Sequence, residues 1–192
     1  MTQITLVTGG ARSGKSHYAE GLLADKPQVT YIATAPTYPE DPEWVSRIEL
    51  HQNRRPDHWT TIETSHLTEA LADVNTDEHV LVDCLTLWLT ATIDRLEGWS
   101  LPQHSPEYFA FLRTLDEHIE QLCNAAQSSR SDIIFVTNEV GSGIIPAVSS
   151  GRLFQDLLGK VNVAIGAISD SVVLVVAGRP LEIYSTRPKS HT

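Results

Sequence analysis

Cysteine is nearly absent from this 192-residue chain: the two present, Cys84 and Cys123, are too few for a disulfide framework or a four-ligand zinc site. Such sparse thiols fit a reducing compartment, and a cytoplasmic location is expected. No apolar run approaches the roughly 18 residues of a membrane span, and the start Met1-Thr2-Gln3-Ile4-Thr5 lacks the basic flank of a signal peptide, so no membrane partner is expected. Positive charge is also scarce. The 14 Lys and Arg stand against 24 Asp and Glu, for a net charge of −10, which argues against a nucleic-acid-binding surface. An anionic ligand must therefore meet a local site. The chain has neither internal repeats nor low-complexity tracts, and 41% hydrophobic with 20% charged residues excludes collagen, coiled coil and disorder. At this length a single domain over residues 1–192 is expected.

Five short segments are β-branched or apolar almost throughout and bounded by turn-forming residues, the pattern of strands buried on both faces. They are Ile4 to Thr8, Val29 to Thr34, Val80 to Cys84, Ile133 to Thr137 and Val172 to Val176. Trp59 to Glu63 is a weaker strand, and Glu182 to Ser185 a late edge strand. Helical spacing lies between them. Lys15 to Leu23 is one such stretch, and Asp41-Pro42-Glu43 and Ser105-Pro106-Glu107 each combine an N-cap acceptor with a proline where its missing N–H does no harm. The first of these helices is expected to run to about Arg55, the second through Leu122. Strands alternating with helices predict a three-layer α/β fold with a mostly parallel, RecA-like sheet. Glu97 to Gln103 and Asn138 to Gly151 read as irregular, and loops at strand ends are where such folds place their sites.

Gly9-Gly10-Ala11-Arg12-Ser13-Gly14-Lys15-Ser16 fits the phosphate-binding pattern of Gly, four residues and Gly-Lys-Ser, after the first strand and at the start of the first helix. Glycines let backbone N–H groups turn inward around phosphate oxygens, the helix N-terminus adds partial positive charge, and Lys15 reaches the outer phosphates. Ser16 is placed to put its hydroxyl on Mg²⁺, and Arg12 adds a second cation. Such a loop also needs a carboxylate at the end of another buried strand, which Asp83 supplies; the alternative for Asp83 is a helix cap for the segment beginning at Leu85. Glu63 ends the weaker strand as either a further metal or nucleotide ligand or a surface acid.

His51 lies four residues after Arg47 and three and four before Arg54 and Arg55, so helical spacing gathers all four on one face. Guanidinium neighbours keep an imidazole neutral and hold phosphate oxygens in planar forks. His51 is then a candidate nucleophile toward phosphorus; the alternative is a solvated basic face with an incidental histidine.

Leu6 to Ser16, Tyr31-Ile32-Ala33-Thr34-Ala35, Arg47-Ile48 with His51, Arg55-Pro56 and Trp59, then Val136 to Gly141 and Gly159-Lys160-Val161-Asn162 together resemble one family. It is the bifunctional adenosylcobinamide kinase/adenosylcobinamide-phosphate guanylyltransferase family of cobalamin biosynthesis. The resemblance runs from Ile4 to about Glu182. It implies phosphorylation of the aminopropanol hydroxyl of adenosylcobinamide by ATP or GTP, followed by transfer of GMP from GTP, through a histidine, to adenosylcobinamide phosphate. Carried over, that histidine is His51. The nucleotide-binding positions it implies are Gly9 to Ser16, Thr34, Ala35, Pro36, Gln52, Asn53, Arg54, Arg55, Glu63 and Asp83, with Ser16 and Asp83 on Mg²⁺. A homotrimer is implied as well. Asp83 stands where relatives carry Glu, one methylene shorter with the same charge.

Overall fold

The computed structural model describes residues 2–35, 55–74 and 78–186. Its elements follow the expected alternation: β1 (Ile4–Gly9), α1 (Lys15–Leu22), β2 (Val29–Ala33), β3 (Thr60–Glu63), α2 (Leu67–Asp73), β4 (His79–Asp83) and α3 (Leu85–Arg95). After a short 3-10 turn at Gly98–Ser100 come α4 (Pro106–Ser128), β5 (Asp132–Asn138), α5 (Ser149–Ile168), β6 (Ser171–Val176) and β7 (Arg179–Ser185). The seven strands form one sheet in the order β3-β2-β4-β5-β1-β6-β7. Every pairing is parallel except β6 with β7, an antiparallel hairpin.

Alternation along the strands explains why both faces are covered. Leu6, Val80, Val82, Ile133 and Phe135 enter one core with α2 to α5, whereas Val7, Leu81, Ile134 and Val136 enter a second core with Ala19 and Leu23 beside α1. The central strands β1, β4 and β5 are thus apolar on consecutive residues because consecutive residues face different cores. α4 begins as expected: the Ser105 hydroxyl accepts from Tyr108 N at 3.1 Å with Pro106 in the first turn, and Phe111, Leu115, Ile119, Leu122 and Ala126 line its buried face.

Boundaries differ from the sequence reading in instructive places. The expected irregular stretch from Asn138 to Gly151 is shorter, because β5 continues through Asn138 and α5 begins at Ser149. The late edge strand is longer, opening at Arg179 after a tight turn in which Ala177 and Gly178 have φ of 50° and 74°. The expected helix from Asp41 to about Arg55 lies outside the described residues except for Arg55 itself.

Candidate active site

Six parallel strands bring their C-terminal ends to one edge, and hydrogen-bonded register fixes what meets there. Ala33 of β2 is level with Glu63 on one side and Asp83 on the other, and Gly9 is level with Asn138. The candidate phosphate loop leaves β1 at this edge, while β5 lies between β1 and the strand that carries Asp83.

The loop is held by its own backbone. Ser13 N donates to Gly10 O at 3.2 Å and Tyr18 N to Gly14 O at 2.9 Å; Arg12 and Gly14 take φ of 57° and 93°. The β6–β7 turn braces it, with Gly178 N donating to Ser13 O at 2.8 Å and Gly178 Cα only 3.1 Å from where a Cβ on Gly14 would sit. At Gly9 a Cβ would stand 2.5 Å from Val175 O and 2.6 Å from Ser13 Oγ. Since the first obstacle is backbone, relief requires the loop to move. Gly9→Ala is therefore expected to cost about 1–3 kcal/mol of stability and to weaken nucleotide affinity; unchanged thermal unfolding and unchanged nucleotide titration would contradict this packing.

Lys15 Nζ lies 3.5 Å from Gly10 O, a long contact easily exchanged for a phosphate oxygen. Its charge reaches the end of β4, where it opposes the rise of the Cys84 thiol pKa. Burial, then the negative charge of Asp83, push that thiol to about 11, so Cys84 stays protonated and is not a nucleophile near neutrality. Ser13 Oγ and Thr8 Oγ1 are buried with no hydrogen-bond partner among the described residues, one in the loop and one on the strand that leads into it.

Asp83 is not a helix cap. Cys84 occupies the N-cap of α3 without a side-chain capping bond, whereas Asp83 Oδ2 accepts from the Tyr31 hydroxyl at 2.8 Å. The phenol pKa is raised well above its ordinary value, by burial first and by the Asp83 charge second, so Tyr31 remains the donor. The Arg55 guanidinium carbon sits 3.4 Å from the centroid of the same ring, with Nη1 donating to Thr61 Oγ1 at 3.2 Å. Arg55, Pro56, Asp57, Trp59, Thr61 and Glu63 line a cavity of about 320 Å³. Thr34 is buried, its hydroxyl donating to Cys84 O at 2.6 Å and accepting from Cys84 N at 2.9 Å. It thereby ties the exit of β2 to that of β4, with Ala35 following.

His51, together with Pro36, Gln52, Asn53 and Arg54, lies outside the described residues. Sequence reasoning missed two contributors. Tyr31 was visible as an aromatic with a polar tip inside an otherwise aliphatic strand. Asn162 accepts from the Thr137 hydroxyl at 2.7 Å and donates to Asn138 O at 3.0 Å, fixing the end of β5 beside Gly9; an amide on the inward side of an amphipathic helix was its signal.

No group of three or more His, Cys, Asp or Glu gathers among the described residues as a metal cage. Mg²⁺ is commonly held by few protein ligands plus substrate phosphates rather than by an all-protein cage, and Asp83 places one carboxylate at the same sheet edge as the loop. Among the described residues no helix is long and apolar enough to cross a membrane.

Sheet order, loop and edge carboxylates define a P-loop nucleotide-binding α/β protein. More narrowly, the chain belongs to the cobinamide kinase / cobinamide phosphate guanyltransferase family, whose model matches residues 5–183. It is 43% identical over 180 residues to the bifunctional adenosylcobalamin biosynthesis protein CobU of Salmonella typhimurium, covering 93% of this chain and 98% of that protein. The protein of the same name from Escherichia coli is 42% identical with the same coverage, and CobP of Pseudomonas aeruginosa is 37% identical over 181 residues, 93% of this chain and 95% of that one. In fold, the chain is similar to a prototypical ATPase from the type III secretion system of pathogenic bacteria, with a TM-score of 0.54 at 10% identity over 90% of this chain and 50% of that one. A Pyrococcus horikoshii protein studied under the project title PH0250 gives 0.52 at 10% identity over 96% and 87%.

Proposed function

We propose that this chain phosphorylates the aminopropanol hydroxyl of adenosylcobinamide with ATP or GTP and then converts the product, with GTP, into adenosylcobinamide-GDP and pyrophosphate. The observation that carries the reading is a P-loop with Asp83 and Glu63 at the same sheet edge, in a chain whose residues 5–183 match the family.

In the kinase step the backbone N–H groups of Gly9 to Ser16 and the Lys15 ammonium hold the triphosphate, and the substrate hydroxyl oxygen attacks the γ-phosphorus as the bond to the nucleoside diphosphate breaks. Phosphoryl transfer through a loose transition state depends on positioning and charge more than on a strong base. In the second reaction an imidazole nitrogen of His51 attacks the α-phosphorus of GTP, the bond to the β-phosphate oxygen breaks, and pyrophosphate leaves. A phosphate oxygen of adenosylcobinamide phosphate then attacks the same phosphorus and displaces His51, the two-stage logic of nucleophilic catalysis. Arg54 and Arg55 steady the phosphate charge, while Thr34, Ala35, Pro36, Gln52, Asn53 and Glu63 contact the nucleotide. Ser16 and Asp83 would hold Mg²⁺, which would supply positive charge to offset that of the phosphates. The working form is a cytoplasmic homotrimer; the exposed Leu181, Ile183 and Tyr184 of β7 offer apolar surface to such an assembly.

Incubation with α-labelled GTP tests the covalent step. The label is expected on a single peptide containing His51, stable to base and lost in acid. A P-loop kinase without transferase activity leaves the protein unlabelled, and label on any other residue moves the nucleophile.

A further inference from the structure

Among the described residues Tyr31, with 2% exposure, is the tyrosine fully buried in the second core of the sheet, while Tyr18 packs half-buried at its margin. A buried tyrosine needs a partner for its hydroxyl, and many arrangements supply a backbone carbonyl deep in the fold. Here the partner is the carboxylate at the C-terminal end of the neighbouring strand. Tyr31 pairs with Leu81 in the ladder, so its hydroxyl reaches two residues along β4, and at 2.8 Å it donates to Asp83 Oδ2. The ring is used too. The Arg55 guanidinium lies against it at 3.4 Å from the centroid, close enough for cation–π attraction, and Arg55 closes the basic segment that begins at Arg47. Arg55 Nε is buried and without a hydrogen bond among the described residues; among these, the Tyr31 ring and the Thr61 hydroxyl are the contacts that hold its guanidinium.

We infer that Tyr31 is a positioning residue that serves both halves of the site: its hydroxyl fixes the rotamer of the metal-side carboxylate, Asp83, and its ring face seats Arg55. The inference rests on the proposed Mg²⁺–nucleotide role of Asp83. A carboxylate free to rotate spends part of its time turned away from the phosphates. One held by a hydrogen bond is ready before the metal–nucleotide complex arrives, which is how partners of metal ligands tune affinity. The hydroxyl and the ring do separate things, so they can be separated by substitution.

Tyr31→Phe keeps the ring and removes the hydroxyl. Nucleotide binding is followed with a fluorescent GTP analogue, in EDTA and across a Mg²⁺ titration, alongside thermal unfolding. The Mg²⁺ concentration that half-saturates the tightening of GTP binding is expected to rise by about 10-fold or more, while affinity in EDTA and the unfolding midpoint stay near wild type. Guanylylation by α-labelled GTP is expected to return to the wild-type rate at high Mg²⁺, because Arg55 keeps its seat. Tyr31→Leu removes both functions; a folded sample is expected to need more Mg²⁺ and to remain slow at saturation. A Phe variant with wild-type Mg²⁺ dependence would overturn the inference alone. If wild-type protein binds GTP equally well with and without Mg²⁺, the metal reading of Asp83 falls and the inference with it. A Leu variant fully restored by Mg²⁺ would remove the seat for Arg55.

Discussion

His51→Ala is expected to reduce guanylyl transfer to background, a loss on the order of 10⁶-fold by the measure of other enzymes stripped of a nucleophile, while GTP binding and the kinase step persist. The split follows from where the bonds break. Transfer of the γ-phosphoryl group to an alcohol needs the triphosphate held and its charge offset, and nothing in that step requires an imidazole. Attack at the α-phosphorus does, because the proposed route passes GMP through a bond to the protein. Two assays on one preparation decide it: phosphorylation of adenosylcobinamide followed by the appearance of its phosphate, and pyrophosphate release from GTP in the presence of that phosphate. Normal pyrophosphate release in the variant would remove His51 from the mechanism, and loss of both activities together would mean the histidine supports nucleotide binding instead.

How far the sequence revealed this arrangement depends on the range of the interaction concerned. The strands were legible because burial on both faces writes itself as uninterrupted β-branched and aliphatic runs, as in Val80, Leu81 and Val82. The loop was legible because backbone donors that wrap phosphate require glycine at set positions. What stayed hidden was set by pairings distant in sequence. Asp83 kept a cap for α3 as its alternative until the ladder between β2 and β4 put the Tyr31 hydroxyl on it. The brace on the phosphate loop comes from Gly178, more than 160 residues later in the chain than Ser13. Likewise the tie at the end of β5 depends on Asn162 of α5: its inward place on an amphipathic helix marks it as covered but does not say which strand end it will meet.

Lys15→Ala is expected to behave differently from loss of His51, since one triphosphate site is proposed to serve both reactions. The sequence contains a single stretch of Gly, four residues and Gly-Lys-Ser, which is why ATP or GTP for phosphorylation and GTP for guanylylation are proposed to use the same loop. On that proposal the ammonium would offset charge on the γ-phosphoryl group in flight in the first reaction and on the departing pyrophosphate in the second. Both are charges that develop at the transition state, where removal of one fixed donor costs about 10²–10³ in kcat. The loss is therefore expected in both assays and by similar factors, with weaker nucleotide affinity besides. Lys15→Arg keeps the charge but replaces a compact ammonium with a planar fork, in a loop where Nζ lies only 3.5 Å from Gly10 O; it should recover little of either activity. Steady-state rates for the two reactions, measured on Lys15→Ala and His51→Ala side by side, separate a shared site from independent ones. A Lys15→Ala protein that loses phosphorylation yet still accumulates the GMP label on His51 at the wild-type rate would show that guanylylation draws its GTP from elsewhere.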